Sequence, residues 1–245
     1  MIRSLLYLLK LALYWLIFFT LYRICFLLIY PSRIPTGKFS EAILVFWYSL
    51  RIDASAIAYL IAIPFILWTI QQFIKNNFLN RFNHYFNLIL ISLATVLCIT
   101  NIAKYGDTNT LINYNTIYYL VAPAKIFPYL TTLELICVLT GVVIVIAIFV
   151  LLFRFMILMV IPYATSKMIY KIIFVPILFP IIFLVMRGGT HEKLINEKIA
   201  CFSETIFFNH VSVNPAWYLG HTIVLAIKES GEVSKTNQEE YFKWK

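Results

Sequence analysis

Apolar positions in this chain fall in long uncharged runs, not in the stripes that alternate with polar positions on a soluble helix. A helix rises about 1.5 Å per residue, so crossing roughly 30 Å of hydrocarbon takes about 20 apolar residues. Five segments meet or approach that length. The first is predicted from Leu5 to Ile29, with Lys10 and Arg23 near its two ends, where long side chains reach the headgroups. The second, Ala54 to Ile74, and the third, Tyr85 to Ala103, carry no charge. A fourth runs from Thr132 to Phe153. In the fifth only Ile172 to Met186 is free of charge, and it holds Pro176 and Pro180. It is therefore expected to start near Met168 with Lys171 snorkelling. Residues Phe155 to Ser166 either extend the fourth helix or turn around Pro162.

The polar positions punctuate these runs. Phe39 to Leu50 is too short to span and is expected to lie along the membrane surface ahead of the second span. The connections Pro31 to Asp53 and Asn101 to Thr131 are longer than the loop Lys75 to His84 and rich in Tyr, Trp, Asn and Thr, which suit the interface. Arg187-Gly188-Gly189 closes the fifth span, because glycine adopts the left-handed conformation that stops a helix. Asn214-Pro215 then opens a helix expected to run to about Lys228 and to end near Gly231. The expected fold is an all-α polytopic membrane protein. Residues 1–186 form a five-helix transmembrane domain, and residues 187–245 form an extracytoplasmic juxtamembrane segment with interfacial helices.

Composition supports lipid as the solvent. Apolar residues make up 62% of the chain and charged residues 13%, with mean hydropathy +0.85, whereas soluble domains run at about 45–50% and roughly 25%. The formal charge of +9 does not mark a nucleic-acid protein. Residues 1–186 hold 13 Lys or Arg against four acids (Glu41, Asp53, Asp107, Glu134), while residues 187–245 hold seven of each. The excess lies between spans, where topology and anionic headgroups favour it. With the N-terminus inside, seven basic residues flank the inner face and six the outer, and all four acids before residue 187 fall outside.

Candidate chemistry is sparse. Cys25, Cys98, Cys137 and Cys201 form no C-x-x-C pair, and His84, His191, His210 and His221 are scattered, so neither a redox pair nor a metal site is expected. The chain offers no Gly-rich phosphate loop, no G-x-S-x-G and no H-x-x-x-H. The most suggestive polar pair is Arg51-x-Asp53 at the head of the second span. One reading puts Asp53 at the helix N-terminus, where the dipole favours a carboxylate, and Arg51 at the headgroups. The other gathers Arg51, Lys104 and Arg187 around an anionic lipid headgroup, with Asn101 and Asp107 orienting its hydroxyls.

R-x-D before the second span, N-(x)5-D after the third, R-G-G after the fifth and the stretch CFSETIFFNHVSVNPAWYLGH together resemble the N-terminal membrane part of the lipoteichoic acid synthase family, within the sulfatase and alkaline phosphatase-like superfamily. The matching residues are Arg51, Asp53, Asn101, Asp107, Arg187 to Gly189, Asn196, Phe202, Asn209, Asn214-Pro215 and Trp217. The resemblance implies a multi-pass protein of a bacterial cytoplasmic membrane, N-terminus inside and C-terminus outside. It further implies an external catalytic domain that transfers phosphoglycerol or a related group with a threonine nucleophile and a divalent metal such as manganese, magnesium or zinc. No position of these 245 residues matches that domain's catalytic set, so no catalytic, cofactor or metal residue is expected here. Ile223 to Ser230 superficially resembles the strand and metal-binding Glu that open such a domain, but follows NPAWYLGH too closely and suits the helix better.

The expected partners are anionic phospholipid and a missing or separate catalytic domain. A small transport or channel subunit, with Arg51, Asp53 and Asp107 lining a pathway, is the alternative. It is disfavoured because spans two and three are uncharged within. A plain membrane-embedded interaction partner is the third reading.

Overall fold

A computed structural model describes residues 2–116, 132–157, 161, 168–190 and 195–228. Among these every regular element is a helix. The long ones are α1 (Ile2–Ile29), α2 (Phe39–Phe73), α3 (Asn77–Thr108), α4 (Thr132–Met156) and α5 (Met168–Arg187). A 3-10 turn (Glu197–Ala200), the short α6 (Ile206–Ser212) and α7, residues 215–228, make up the C-terminal segment. Four helices, α1 to α4, are long and apolar enough to cross a membrane. The fifth, α5, lies against α2 over its whole length, so the five-span expectation corresponds to these five helices.

Helix α2 is the hub. It packs against α1, α3 and α5 and, at its N-terminal end, against the 3-10 turn and α6. Phe39 to Leu50, expected as a separate surface helix, is its first third. No breaker lies between Leu50 and Ala54, and Ala42, Val45, Ser49 and Ile52 form one buried stripe that the C-terminal segment covers in place of the bilayer. The third helix also starts earlier than expected. Asn76 caps it by accepting from the Phe78 N–H at 2.7 Å, which cuts the expected loop Lys75 to His84 to a few residues. Helix α4 ends at Met156, and residues 162–166 lie outside the described ones.

Polar side chains form two buried belts. The proximal belt, near the N-terminus, contains Ser4, Tyr7, Gln72, Asn83 and Lys171; the distal belt contains Tyr22, Arg23, Asp53 and Asn101. Asn83 and Asn101 are 18 residues apart on α3, and Asp53 and Gln72 are 19 apart on α2. The belts are therefore about 27–29 Å apart, close to a hydrocarbon thickness. Lys171 does not snorkel. It is buried, and its Nζ donates at 2.6 Å to the Gln72 carbonyl, one of those that the last turn of α2 leaves without a helical partner, while the Gln72 side chain bonds Ser4 and the Trp68 carbonyl. Aromatic side chains fill the middle of the bundle: Tyr14 touches Trp15 and Phe153 edge-on, and its hydroxyl donates to the Phe149 carbonyl, tying α1 to α4.

At the end of α5, Gly188 adopts φ +84° while Gly189 N–H reaches the Leu184 carbonyl and Gly188 N–H the Val185 carbonyl, a left-handed helix stop. A Cβ on Gly188 would lie 2.5 Å from the Ile195 Cβ. Gly188→Ala is expected to lower stability by about 1–3 kcal/mol, from strain at positive φ. Gly220→Ala, in open space within α7, is expected to leave it unchanged or slightly raised. Thermal unfolding in detergent checks both.

Candidate functional site

The distal belt is built around one carboxylate. Asp53 lies fourteen residues inside α2, not at a helix N-terminus, and is 1% exposed. A carboxylate there needs a cation, and α1 supplies it. Arg23 Nη1 donates to Asp53 Oδ2 at 2.6 Å and Nη2 to Oδ1 at 2.8 Å, a two-pronged pair. Arg23, expected at the headgroups, is itself 1% exposed. Two of its other three N–H groups meet the Phe19 and Ser212 carbonyls at 3.3 and 3.1 Å, and the third, on Nε, has no partner among the described residues.

The C-terminal segment closes the site. Asn214 Nδ2 donates to Asp53 Oδ1 at 2.7 Å, while its own Oδ1 accepts from the N–H groups of Ala216 and Trp217 at 3.1 and 3.2 Å. One side chain therefore both caps α7 and fastens it to α2. The helix expected from Asn214-Pro215 is present, and it includes Ile223 to Lys228, so no strand forms there. Ser212 Oγ donates to the Ala200 and Asn209 carbonyls at 2.6 and 2.8 Å. Asn209 Oδ1 accepts from the N–H groups of Phe202 and Ser203, both at 2.9 Å, and its Nδ2 donates to the Ser203 carbonyl, which folds the turn before α6. Phe202 then stacks on Tyr48 of α2 at 4.5 Å, and Ser203 Oγ donates to Glu41.

The other expected residues divide between joints and surface. Arg51 is exposed, and its Nε and Nη2 donate to the Gly188 carbonyl at 2.9 and 2.7 Å; beside it, Ser55 Oγ donates to the Met186 carbonyl at 2.5 Å. Two carbonyls that the end of α5 leaves without a helical partner are thus met from α2. Asn101 is buried; its Nδ2 donates to Tyr22 Oη at 2.7 Å and its Oδ1 accepts from Ile112 N–H at 2.8 Å. Lys104 Nζ donates to the Leu111 carbonyl and Thr116 Oγ1, both at 2.8 Å, within its own loop. Asp107 is exposed, with no partner among the described residues. Arg187 is half-buried at the rim of α5, and Asn196 heads the 3-10 turn. Trp217 is buried and stacks on His221 at 4.7 Å, where His221 also meets Glu197 at 3.2 Å.

The structure therefore sets Arg51 on the carbonyl that follows α5 and joins Asp53 to Asn214, which caps α7 at Trp217, while Asn209 orders the turn before α6. The grouping of Lys104 with Arg51 and Arg187 around one headgroup is not among the described contacts. Arg23, Ser55, Ser212 and Tyr22 were not singled out by the sequence. The signal for Arg23 was present: it is followed by six residues of the same apolar run, too deep for a simple end anchor. His210 adds a link to α3, its Nδ1 3.1 Å from Tyr105 Oη, and burial holds its pKa below the ordinary 6.5. No group of three or more metal-ligating side chains occurs among the described residues. Comparison with family models, with curated proteins and with solved structures finds no match.

Removing one member of a buried ion pair strands the other, a loss of about 3–5 kcal/mol. Asp53→Ala and Arg23→Ala are each expected to lower thermal stability in detergent by that order, and the double variant Arg23→Met with Asp53→Leu to recover part of it. A loss in the double variant equal to the sum of the two single losses would show that the two side chains are not coupled.

Proposed function

We propose that this chain is the membrane anchor and lipid-side module of a phosphoglycerol or phospho-alcohol transferase, not catalytic itself, acting with an extracytoplasmic catalytic domain. The observation that carries the proposal is the interlocking of three sequence-distant segments of the resemblance. R-x-D, R-G-G and the N-P-x-W stretch meet through Arg51 on the Gly188 carbonyl and Asp53 on Asn214. An anchor that must hold a water-side domain at fixed height over the bilayer needs such a joint, since an unfastened linker would let the domain wander. The same joint argues against a transport path, because Asp53 is neutralised by Arg23 and closed over by Asn214.

Arg51 supports the lipid-side half of the reading. Its Nε and Nη2 are used on Gly188, while Nη1 has no bond to any described residue and the side chain is exposed. Placed level with the end of α5, it offers a charge-assisted donor to a headgroup phosphate. Arg51→Gln keeps a donor for the Gly188 carbonyl but removes the charge. Native mass spectrometry of the purified protein with added phosphatidylglycerol is expected to show weaker lipid retention for Arg51→Gln and for Arg187→Glu, with the thermal transition of Arg51→Gln unchanged. Retention equal to the unmodified protein in both variants would discard the headgroup reading.

We place the distal belt and the C-terminal segment on the outer face of a bacterial cytoplasmic membrane, the N-terminus inside. Cys201 is exposed on that segment, whereas Cys98 is buried in α3. A variant retaining only Cys201 is expected to react with a membrane-impermeant maleimide in intact cells. Labelling only after permeabilisation would reverse the orientation.

A further inference from the structure

Helices α1 and α3 bury polar groups in the proximal half of the bundle that the distal joint does not use. Asn80, Asn83 and Asn87 follow one another on α3 at spacings of three and four residues and share its buried stripe. Asn83 Nδ2 donates to Tyr7 Oη at 2.5 Å, and Asn87 Nδ2 donates to the Asn83 carbonyl at 2.7 Å and to Asn83 Oδ1 at 3.2 Å. These bonds leave two complementary groups over. Asn87 Oδ1 accepts from no protein group among the described residues, Trp15 Nε1 donates to none, and both side chains are fully buried.

Register sets the two close in height. Tyr7 meets Asn83 and Tyr22 meets Asn101, so α1 and α3 run in the same direction, linked at two heights through these side chains. Asn87 therefore comes level with Leu11, one turn from Trp15, whose indole leans toward the N-terminal end of α1 and so toward that level. Inside hydrocarbon an unmet donor or acceptor is heavily penalised, because no solvent replaces the lost partner. A single water molecule meets both needs, accepting from the indole N–H and donating to the carboxamide oxygen. We propose that α1 and α3 enclose an ordered water bridging Trp15 Nε1 and Asn87 Oδ1, a neutral hydrated site within the membrane-spanning layer.

Trp68 provides the internal control, since its Nε1 already donates to the Ser4 carbonyl at 2.9 Å. The full chain, labelled with nitrogen-15 at tryptophan and held in lipid nanodiscs, is observed by NMR, with resonances assigned by single Trp→Phe substitutions. The Trp15 indole proton is expected to show a cross-peak to water and, in deuterated buffer, to exchange roughly tenfold faster than that of Trp68, whose partner is a protein carbonyl instead of an exchangeable water. The Asn87→Leu variant is expected to lose the Trp15 cross-peak and leave Trp68 unchanged. Absence of the cross-peak in the unmodified protein, which needs no variant to fold, overturns the proposal. So does its persistence in Asn87→Leu, which would put the water on other partners.

Discussion

In a bundle whose outer surface is as apolar as the lipid around it, the hydrophobic effect gives one helix no reason to prefer another, and the buried Arg23–Asp53 pair supplies that preference. Two opposite charges sit on α1 and α2, and neither can leave the other without stranding a charge in a medium that cannot solvate it. The pair contributes specificity more than net stability, since the desolvation of both groups offsets most of their attraction. Its consequences spread outward. Asp53 still has acceptor capacity, which Asn214 fills; Arg23 still has a hydrogen, which the Ser212 carbonyl takes. A contact that begins as helix selection in the membrane becomes the attachment point of the segment beyond it.

That attachment explains why α2 is 35 residues long when about 20 would cross the bilayer. Residues before Asp53 form a post of fourteen residues, about 21 Å tall. The 3-10 turn and α6 pack on its buried stripe, Phe202 stacks on Tyr48, and Ser203 meets Glu41. The opposite side of the post exposes Phe39, Ile43 and Trp47. Helix α5 ends level with the foot of the post, and its last carbonyls are met by Ser55 and Arg51. A short motif such as R-x-D thus serves three partners at once, Arg51 for α5 and Asp53 for α1 and the C-terminal segment.

Helices and spans were legible because each uncharged run is long enough to demand a helix in lipid, and because Gly188 and Asn214-Pro215 have local backbone reasons to stop and start one. What the sequence hid was partnership. Phe39 to Leu50 reads as surface-lying when taken alone, since nothing within it reveals that residues 197–213 cover its buried side. Asp53 reads as a helix cap because a carboxylate two residues after an Arg looks like an interface, and its true counter-ion lies 30 residues earlier in another span. Lys171 reads as a snorkelling end because its acceptor, the Gln72 carbonyl, is 99 residues away in sequence. In each case the period of the chain fixes the element, while the buried polar group finds its partner only in three dimensions.

The spacing of the two belts joins these points into one constraint. Proximal and distal polar groups recur on α1, α2 and α3 at separations of 15 to 19 residues: Tyr7 to Tyr22, Asp53 to Gln72, and Asn83 to Asn101. Those intervals correspond to roughly 22–29 Å of helix. Sliding one helix by a single turn past its neighbours would break pairs in both belts together, so the register is specified at two heights at once. The apolar stretch between the belts then needs only to fill space, which the aromatic cluster of Tyr14, Trp15, Phe18 and Phe19 does without any polar bond linking α1 to α2. Association is directed at the two ends and packed in the middle, and the distal end, where direction is strongest, is the end to which the C-terminal segment is fastened.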